Sequence, residues 1–312
     1  MIEPTPAARP KVVPHPVWTA HLRDCLERRQ KELPMALFEP AVAVTVLAAS
    51  DLEAPFVGFP SVAHLERFVP AAILFVDAVP SDARLLEAMT ADRPRICFVA
   101  HRVPSVARGL GDRVRSWGVA TEVHAFTANT PEDLIPPMPF PRPLLIVVPG
   151  NALGTRGTIE GVRTLRSIRA AMKPGDRLIL VLDVRTDARE LEAAYGRAGG
   201  AWERANAVVV QELARVLSAP IDTSELQFAA RHDRANARVE GVLVAHRPIR
   251  LAIPDGSHIL VGRHETLRTV LAATFDRRRL EGTLRGCGLQ LHAWHQHENG
   301  TAVAVIDPVW LA

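Results

Sequence analysis

Short apolar runs alternate with helical patterns through the middle of this 312-residue chain, and this alternation restricts the fold more than any other feature. Runs that lack a polar face predict strands buried on both sides, and strands joined by helices are usually parallel. The sequence therefore predicts an α/β fold with a doubly wound parallel sheet. The strands are expected at Ala71–Val76, Arg95–Ala100, Ala120–Phe126, Leu144–Val148 and Leu178–Leu182, with helices at Asp82–Met89, Val106–Trp117 and Gly157–Met172.

The pattern changes after Asp183, where helices are followed by shorter strands that are predicted to be antiparallel. The Asn299-Gly300 pair is a strong signal for a closing hairpin turn. The expected elements are helices at Ala188–Ala198 and Trp202–Leu217, strands at Ala237–His246, Ile249–Ile253 and His258–Val261, a helix within Thr269–Gly286, and hairpin strands at Gly288–His297 and Ala302–Pro308.

Composition excludes several classes of function. The formal charge is +3, and there is one tyrosine and no basic stripe interleaved with aromatic residues, so we expect no nucleic-acid partner. No apolar run is long enough for a membrane helix. Three widely spaced cysteines favour a reduced, cytoplasmic protein. The Pro- and Ala-rich residues Met1–Pro16 are expected to form a flexible arm rather than a signal peptide.

The turn after the first predicted strand is the most informative local feature. It reads Asp77-Ala78-Val79-Pro80 and contains no glycine. A turn that binds a nucleotide-like cofactor needs a backbone with positive φ and a close approach without a Cβ atom. Ala78, Val79 and Pro80 supply neither, and proline also lacks an N–H to donate. The sequence therefore predicts no cofactor at this turn.

The segment from Arg142 to Leu289 resembles the histidine-specific Nα-methyltransferases of ergothioneine biosynthesis. The loop Gly150–Gly154, the turn from Lys173 to Asp176 and the strand that ends at Asp183 follow that family's order. Tyr195 and the Arg238-Val239-Glu240 strand match two further motifs of the family. The resemblance implies a Rossmann-like methyltransferase sheet and a second α+β domain. On this basis we expect a second domain from residues 17–60 plus about 197–285, and a Rossmann-like domain from about 61–196 plus 286–312.

The same resemblance shows departures at both halves of the family's site. The first turn lacks glycine, the second strand ends in His101-Arg102 without the family's acid, and the matching acid is also missing near Phe126–Thr130. Three missing contacts predict that S-adenosylmethionine does not bind. On the substrate side, the family's asparagine falls on Thr155, and its Glu-x-Ser pair, which reads the imidazole, falls near Val270 and Ala272.

Candidate site residues remain in the cleft that the resemblance implies. Arg231-His232-Asp233-Arg234 is expected to form a polar loop with two cations, a titratable imidazole and a carboxylate. His232 and Asp233 are the predicted catalytic groups. The predicted substrate-binding residues are Gly150, Asn151, Thr155, Tyr195, Arg231 and Arg234, with the Gly150–Thr155 loop offering N–H groups to an anion. Tyr195 is equally compatible with a buried structural role, and each of these loops with a simple turn.

A metal site is not expected among the histidines near the C-terminus. His295 and His297 lie on one face of a strand, whereas His292 lies on the other, so three ligands would converge only at a bulge.

Three hypotheses of function follow. The first is a repurposed enzyme that uses no cofactor and acts on an anionic, amino-acid-derived substrate, which is either free or attached to an acidic carrier protein. One such lyase-like class is the aziridine-forming, sulfate-eliminating protein pairs of azinomycin-type antibiotic biosynthesis. These proteins use a small partner subunit. The second is a non-catalytic scaffold subunit of a heteromeric enzyme, suggested by the apolar segments Ala41–Ala49 and Phe56–Pro60. The third is an intact amino-acid N-methyltransferase with a divergent cofactor loop.

Overall fold

The structure is a computed structural model, and it describes residues 16–28, 31–33, 68–78, 82, 96–116, 122–127, 135, 139–217, 221, 223–253 and 255–310. Several predictions lie outside these residues: most of the arm at 1–16, nearly all of the helix at Asp82–Met89, and the apolar segments Ala41–Ala49 and Phe56–Pro60.

A seven-stranded sheet forms the centre of the molecule, in the order β11-β12-β5-β4-β1-β2-β3. The strands β1 to β5 pair in parallel, and β12 is antiparallel to both β5 and β11. Their bounds are β1 Ala72–Val76, β2 Ile96–His101, β3 Glu122–Thr127, β4 Leu144–Val148, β5 Arg177–Asp183, β11 Leu289–Gln296 and β12 Thr301–Pro308. The predicted Rossmann-like α/β sheet is confirmed.

Helices cover both faces of this sheet because its strands carry apolar side chains on both faces. In β1, the side chains of Leu74 and Val76 belong to one core, and Ile73 and Phe75 belong to the other; all are fully buried. Burial of each such side chain contributes about 1.5–3 kcal/mol. The helix α2 (Pro104–Ser116) packs in the second core, and α3 (Gly157–Ala171) packs in the first.

A smaller three-stranded sheet has the order β10-β7-β6. Its strands are β6 Leu226–Asp233, β7 Arg238–Ala245 and β10 Thr266–Ala273, while β8 Ile249–Ala252 and β9 His258–Val261 form a separate two-stranded ribbon. The helices α1 (Pro16–Glu27), α4 (Ala188–Tyr195) and α5 (Ala201–Leu217) lie in the chain around them. Side chains of α1 and α5 share one core with β7 and with the ribbon, including Leu22, Leu213 and Leu243.

Two of these strands correct the sequence analysis. β6 lies where a polar loop was expected at Arg231–Arg234. β10 is a strand that was not predicted; it occupies the start of the segment Thr269–Gly286, which was expected to include a helix and does include one, at Arg277–Gly286. β6 ends in Arg231, His232 and Asp233, and this polar stretch is the reason a loop was expected there. β7 and β8 are strands, as predicted, but they do not pair with each other. β7 pairs with β6 and β10, and β8 pairs with β9.

The helix α6 (Arg277–Gly286) packs against the large sheet. Its Leu280 and Leu284 are buried in the same core as Leu74 and Leu165. The Asp276 carboxylate caps the helix by accepting a hydrogen bond from the Arg279 N–H. Residues up to Gly286 therefore contribute to the Rossmann-like core, and the division of the chain into two domains stays a prediction.

Two further observations bear on the sequence analysis. Cys25, Cys97 and Cys287 are all buried and unbonded to one another. Among the described residues, no helix combines the length and the apolar character needed to cross a membrane.

Candidate functional site

The carboxyl ends of the parallel strands meet along one edge of the large sheet, where α/β proteins bind their ligands at the point of reversed strand order. In this sheet that point lies between β1 and β4. The turn after β1 reaches positive φ at Asp77 (φ 54°), whose N–H donates to the carbonyl of Ala100 at 2.8 Å. Aspartate tolerates this conformation better than most residues. The turn thus has positive φ at Asp77 without glycine, whereas the sequence expectation concerned Ala78, Val79 and Pro80, of which only Ala78 is among the described residues.

The next residue turns away from the edge. Ala78 has no exposed surface and packs in the core with Phe75 and Val106. On the other side of the reversal point, Gly150 has φ 57°, and a Cβ atom there would lie 2.7 Å from Oδ1 of Asp82. Glycine suits position 150 because the backbone there has positive φ and a Cβ atom would crowd the Asp82 side chain.

The end of β2 carries a buried histidine. The Nδ1 atom of His101 accepts a hydrogen bond from the Val103 N–H at 2.9 Å, so the imidazole caps the turn that leads into α2. Burial, together with the neighbouring charge of Arg102, lowers the pKa of His101 to about 4. The His101 imidazole is thus neutral and accepts its hydrogen bond from the backbone.

The end of β5 carries a buried ionic cluster. Asp183 is fully buried, and the Arg185 guanidinium donates to its two carboxylate oxygens at 3.0 and 2.7 Å. The Tyr195 hydroxyl donates to the same carboxylate at 2.9 Å. Burial and the charge of Asp183 raise the pKa of Tyr195 well above its ordinary value, so this phenol is neutral. Tyr195 is 4% exposed and packs against Trp202, with ring centroids 4.4 Å apart.

Asn151 joins this cluster from the turn after β4. Its Nδ2 donates to the Ala273 carbonyl at 3.0 Å, its Oδ1 accepts from the Asp183 N–H at 3.3 Å, and a side-chain hydrogen bond links it to Tyr195. The structure thus brings the predicted residues Asn151 and Tyr195 together. Both hold the edge of the large sheet to the end of β10.

The Gly150–Thr155 loop does not present the expected row of free N–H groups. The N–H groups of Asn151, Ala152, Gly154 and Thr155 all donate to carbonyls within the protein. The Thr155 side chain is exposed, and its hydroxyl donates to the Ala152 carbonyl at 2.9 Å. The loop is too tightly folded to offer these four donors to an anion.

The Arg231–Arg234 segment is divided between two faces of the small sheet. Arg231 lies opposite Glu240 and Asp233 lies opposite Arg238, whereas His232 lies opposite Val239. Val239 packs with Leu191 and Tyr195. Because strand side chains alternate between faces, His232 lies on the face toward α4, and its predicted catalytic partner Asp233 lies on the other. The structure does not bring the two together.

Arg231 and Asp233 instead belong to a charged face, which we define as the face of the small sheet that carries Arg231, Asp233, Arg238, Glu240, Thr266 and Arg268. A cleft of about 560 Å³ runs along it, lined by Lys31, Arg231, Asp233, Asn236, Arg238, Glu240, Glu265 and Thr266. Arg234 is exposed in the short 3₁₀ turn between β6 and β7 and is not among these lining residues.

The opposite face of the small sheet is apolar where the family resemblance places the groups that read the imidazole. Ala272 is fully buried with Val239 and Leu191. A Cβ atom on Gly241 would lie 2.4 Å from the Val270 side chain and 3.2 Å from the rings of Phe228 and Trp202. Val270 and Ala272 therefore sit in close packing and offer no hydrogen bond.

The C-terminal histidines form no metal site within the described part of the chain, where no three potential ligands cluster. His292 lies at a β-bulge between Leu291 and Ala293, and its Nδ1 is 2.9 Å from a carboxylate oxygen of Asp307. A bulge is thus present at the place where the three histidines would need one in order to converge on a metal ion. His292, however, is paired with Asp307.

Sequence reasoning missed the roles of Asp183, Arg185, Glu240 and Lys31. Asp183 and Glu240 each follow or interrupt an apolar strand, which is the signal that marks a buried carboxylate in need of a partner. Arg185 and Arg238 each lie two residues from the carboxylate they bind, whereas Arg268 lies 28 residues from Glu240, so no local pattern indicates that third pairing.

Comparison with known proteins identifies relatives over the same region. A sequence model of the family described as histidine-specific, S-adenosylmethionine-dependent methyltransferases matches residues 100–307. A histidine N-alpha-methyltransferase of Mycobacterium tuberculosis is 28% identical over 158 residues, which are 50% of this chain and 49% of that protein. The chain thus matches about half the length of this curated relative. The family match leaves β1 and the turn after it outside.

Solved structures of methyltransferases are similar at lower levels. An S-adenosylmethionine-dependent methyltransferase of Clostridium acetobutylicum has a TM-score of 0.44 and 10% identity, over 93% of this chain and 98% of that chain. The N,N-8-amino-8-demethyl-D-riboflavin dimethyltransferase of Streptomyces davawensis has a TM-score of 0.43 and 16% identity, over 92% of this chain and 62% of that chain.

Proposed function

The chain belongs to the family of histidine-specific, S-adenosylmethionine-dependent methyltransferases, and we propose that it works in that fold without the cofactor, on an anionic, amino-acid-derived substrate. The observation that carries the proposal is His101. At the end of β2, where the family has an acid suited to a ribose diol, this chain has a buried, neutral imidazole that caps Val103. The imidazole therefore does not replace a carboxylate as the acceptor for the hydroxyl groups of a ribose.

The rest of the described cofactor edge also fits S-adenosylmethionine poorly. Ala78 is turned into the core, and Asp82 packs against Gly150 across the reversal point of the sheet. Asp183, Arg185 and Tyr195 satisfy one another. The Asp183 carboxylate is therefore committed to Arg185 and Tyr195.

The substrate side supports a change of substrate. Val270 and Ala272 replace a hydrogen-bonding pair, and Gly241 lies in contact with Val270, Phe228 and Trp202. An imidazole buried against such side chains would lose its hydrogen bonds with water at a cost of about 1–3 kcal/mol for each group. Selective binding of histidine at this position is therefore disfavoured.

A reaction that needs no cofactor and suits the charged residues is intramolecular displacement of sulfate by an amine, as in aziridine formation. The amine lone pair forms a C–N bond to the carbon that bears the sulfate, the C–O bond breaks with its electron pair on the sulfate, and the nitrogen loses a proton. Arg231 or Arg234 would hold the sulfate, and Arg231 is favoured because it lines the cleft. Positioning and charge stabilisation are the protein's contribution.

Asp233 and His232 have different prospects in this reaction. A hydrogen bond from the Asn236 side chain lowers the pKa of Asp233, with Arg238 also contributing, so its carboxylate suits an ammonium group better than it suits proton removal. His232 lies on the other face of β6, and its backbone N–H donates to Glu192 at 2.9 Å. For the His232 imidazole to accept the amine proton, the substrate would have to extend past the edge of β6 to its other face. Transfer of the proton to water is therefore the simpler route.

The first test is titration calorimetry with S-adenosylmethionine and with S-adenosylhomocysteine, together with a radiolabelled methyl-transfer assay on histidine. We expect neither binding in the micromolar range nor methyl transfer. The Mycobacterium tuberculosis relative serves as the positive control under the same conditions. Micromolar binding accompanied by methylation of histidine would refute the proposal.

The second test measures sulfate release from 2-aminoalkyl sulfate esters. We expect release by the wild type and by Arg247→Ala, and a loss of at least about tenfold in Arg231→Ala, as for one charge-assisted contact. Arg247 is the matched control because it is an exposed arginine, with its nearest carboxylate, Glu225, at 3.5 Å, outside the charged cleft. No release with or without a partner subunit would favour the scaffold hypothesis.

The family description and the Mycobacterium tuberculosis relative favour a second candidate, a cofactor-dependent amino-acid N-methyltransferase. The left-handed Asp77 is consistent with it, because that residue gives the turn after β1 the positive φ that a glycine-free sequence was expected to lack. The calorimetric test above separates the two candidates.

A further inference from the structure

The charged face of the small sheet has the dimensions of a small-molecule site. Its cleft has a volume of about 560 Å³, and all eight lining residues are polar or charged. Small-molecule sites commonly have volumes of about 300–1,000 Å³. The described face lies on the opposite side of the sheet from Gly241 and Val270, where the family resemblance places histidine.

A buried carboxylate fixes the floor of the cleft. Glu240 is 2% exposed, and its Oε1 accepts hydrogen bonds from Arg238 at 2.7 Å and from Arg268 at 3.3 Å. Arg268 also pairs with Glu32, which bridges β10 from the segment 31–33. Two arginines from two strands therefore hold Glu240 in one position, because a buried carboxylate without partners would be strongly destabilising.

The pKa values of the other two carboxylates of the cleft, Asp233 and Glu265, are lowered by their neighbours. Asp233 accepts from the backbone N–H and from the Nδ2 of Asn236, and Arg238 lies 3.1 Å away. The Asn236 side chain is the main cause of the lowered pKa of Asp233. Burial alone would raise the pKa of Glu265, but hydrogen bonds from Lys31 and the Gly262 N–H bring it below its usual value.

Arg231 differs from the other cations of the cleft. Its side chain is 57% exposed, and its nearest carboxylate oxygen, Oε2 of Glu240, is 3.7 Å away. That separation is too long for a hydrogen bond. Within the described part of the chain, the guanidinium donates no hydrogen bond, so its fork of N–H groups is available to an anionic group of a ligand.

The charges of the lining decide which class of ligand fits. Lys31, Arg231 and Arg238 balance Asp233, Glu240 and Glu265, so the cleft is neutral as it stands. An anion that binds Arg231 brings its own negative charge near three carboxylates. We propose that the cleft binds a dipolar small molecule, with its anionic group on Arg231 and its cationic group toward the carboxylates of Asp233 and Glu265.

This inference deepens the proposed function, and rests on it for the identity of the ligand as the substrate. Binding of a dipolar molecule itself requires no catalysis and no cofactor. If the protein were a cofactor-dependent methyltransferase with this cleft, it would bind S-adenosylmethionine in the calorimetric test above, which refutes the proposed function. It would still bind the dipolar probe in the test below, so failure of one proposal is distinguishable from failure of the other.

The test uses three two-carbon probes: taurine, which carries an ammonium and a sulfonate; isethionate, in which a hydroxyl replaces the ammonium; and the smaller ethanolamine, in which a hydroxyl replaces the sulfonate. Binding to the full chain is measured by saturation-transfer NMR, and the Arg231 Nε–H resonance is followed in a ¹⁵N spectrum. We expect taurine to bind in the millimolar range and about tenfold more tightly than either other probe. Binding of isethionate as tight as that of taurine, or no binding of any probe, would overturn the proposal.

Variants locate the site. Arg231→Ala is expected to weaken taurine binding by about 10–100-fold, the range for one charge-assisted contact, whereas the exposed Arg247→Ala is expected to change it less than twofold. Glu265→Gln keeps an acceptor for the Gly262 N–H but removes the negative charge. It is expected to reduce the difference in affinity between taurine and isethionate. Far-UV circular dichroism checks that each variant is folded. Equal taurine binding by wild type and a folded Arg231→Ala would place the ligand elsewhere and overturn the proposal.

Discussion

The edge of the large sheet and the charged face of the small sheet treat their polar groups in opposite ways. At the edge, Asp183, Tyr195 and Asn151 are almost fully buried and bond to one another. On the charged face, Glu240 is equally buried, but Arg231 above it is more than half exposed and makes no close contact.

The difference shows how burial converts a polar site into a structural one. Once water is excluded, every donor and acceptor must find a partner in the protein, and a group whose hydrogen-bonding capacity is fully used is no longer available to a ligand. The edge of the large sheet has reached that state in its described residues. On the charged face, the Arg231 side chain remains exposed, and it makes an ion pair with Glu240 at 3.7 Å rather than a hydrogen bond.

The sharpest way to break this comparison is Asp183→Asn. The change removes the charge that faces the buried Arg185, and we expect a loss of about 3–5 kcal/mol in the free energy of unfolding, as for other buried pairs that lose one partner. Urea denaturation followed by circular dichroism measures it. The matched control is Asp112→Asn, which breaks the exposed Arg115–Asp112 pair and is expected to cost less than about 1 kcal/mol. Similar costs for both variants would mean that the edge is not a structural cluster.

His101 gives the comparison a pH dependence. Its pKa is about 4 in the folded chain, against 6.5 when unperturbed. Between these values the unfolded chain binds a proton that the folded chain does not, so stability falls as the pH falls from about 6.5 to 4, by about 3 kcal/mol in total. His101→Asn keeps an acceptor for the Val103 N–H without the titration. As the pH falls through this range, we expect the wild type to lose more stability than the variant, so that the difference in the free energy of unfolding shifts in favour of the variant. Urea denaturation at a series of pH values measures this difference. A difference that does not change with pH would contradict a buried, neutral His101.

The smallest effect is expected on the charged face. Arg231→Ala removes a half-exposed side chain whose nearest carboxylate is 3.7 Å away, so its free energy of unfolding should change by less than about 1 kcal/mol. Thermal and urea denaturation measure the change. A loss as large as that of Asp183→Asn would show that Arg231 is a structural partner of Glu240, and the contrast between the two regions would disappear.

Parts of both regions could be predicted from the sequence. The buried strand Leu144–Val148 was predicted to the residue, and Asn151 and Tyr195 were recognised as candidate groups of the edge. The faces of Arg231, His232 and Asp233 could not be predicted, because the segment was interpreted as a loop and only its pairing with β7 makes it a strand. Once it is a strand, alternation alone separates His232 from its neighbours.

By itself, the sequence determined the sheet, because apolar runs without a polar face must be buried on both sides and the helices between them make the strands parallel. It also determined the glycine-free turn after β1 and the apolar residues at Val270 and Ala272. Only the tertiary structure decided which polar groups became partners. The contacts of Asp183 with Tyr195 and of Glu240 with Arg268 join residues from different elements, and the choice between a committed and an available side chain depends on burial that no local pattern records.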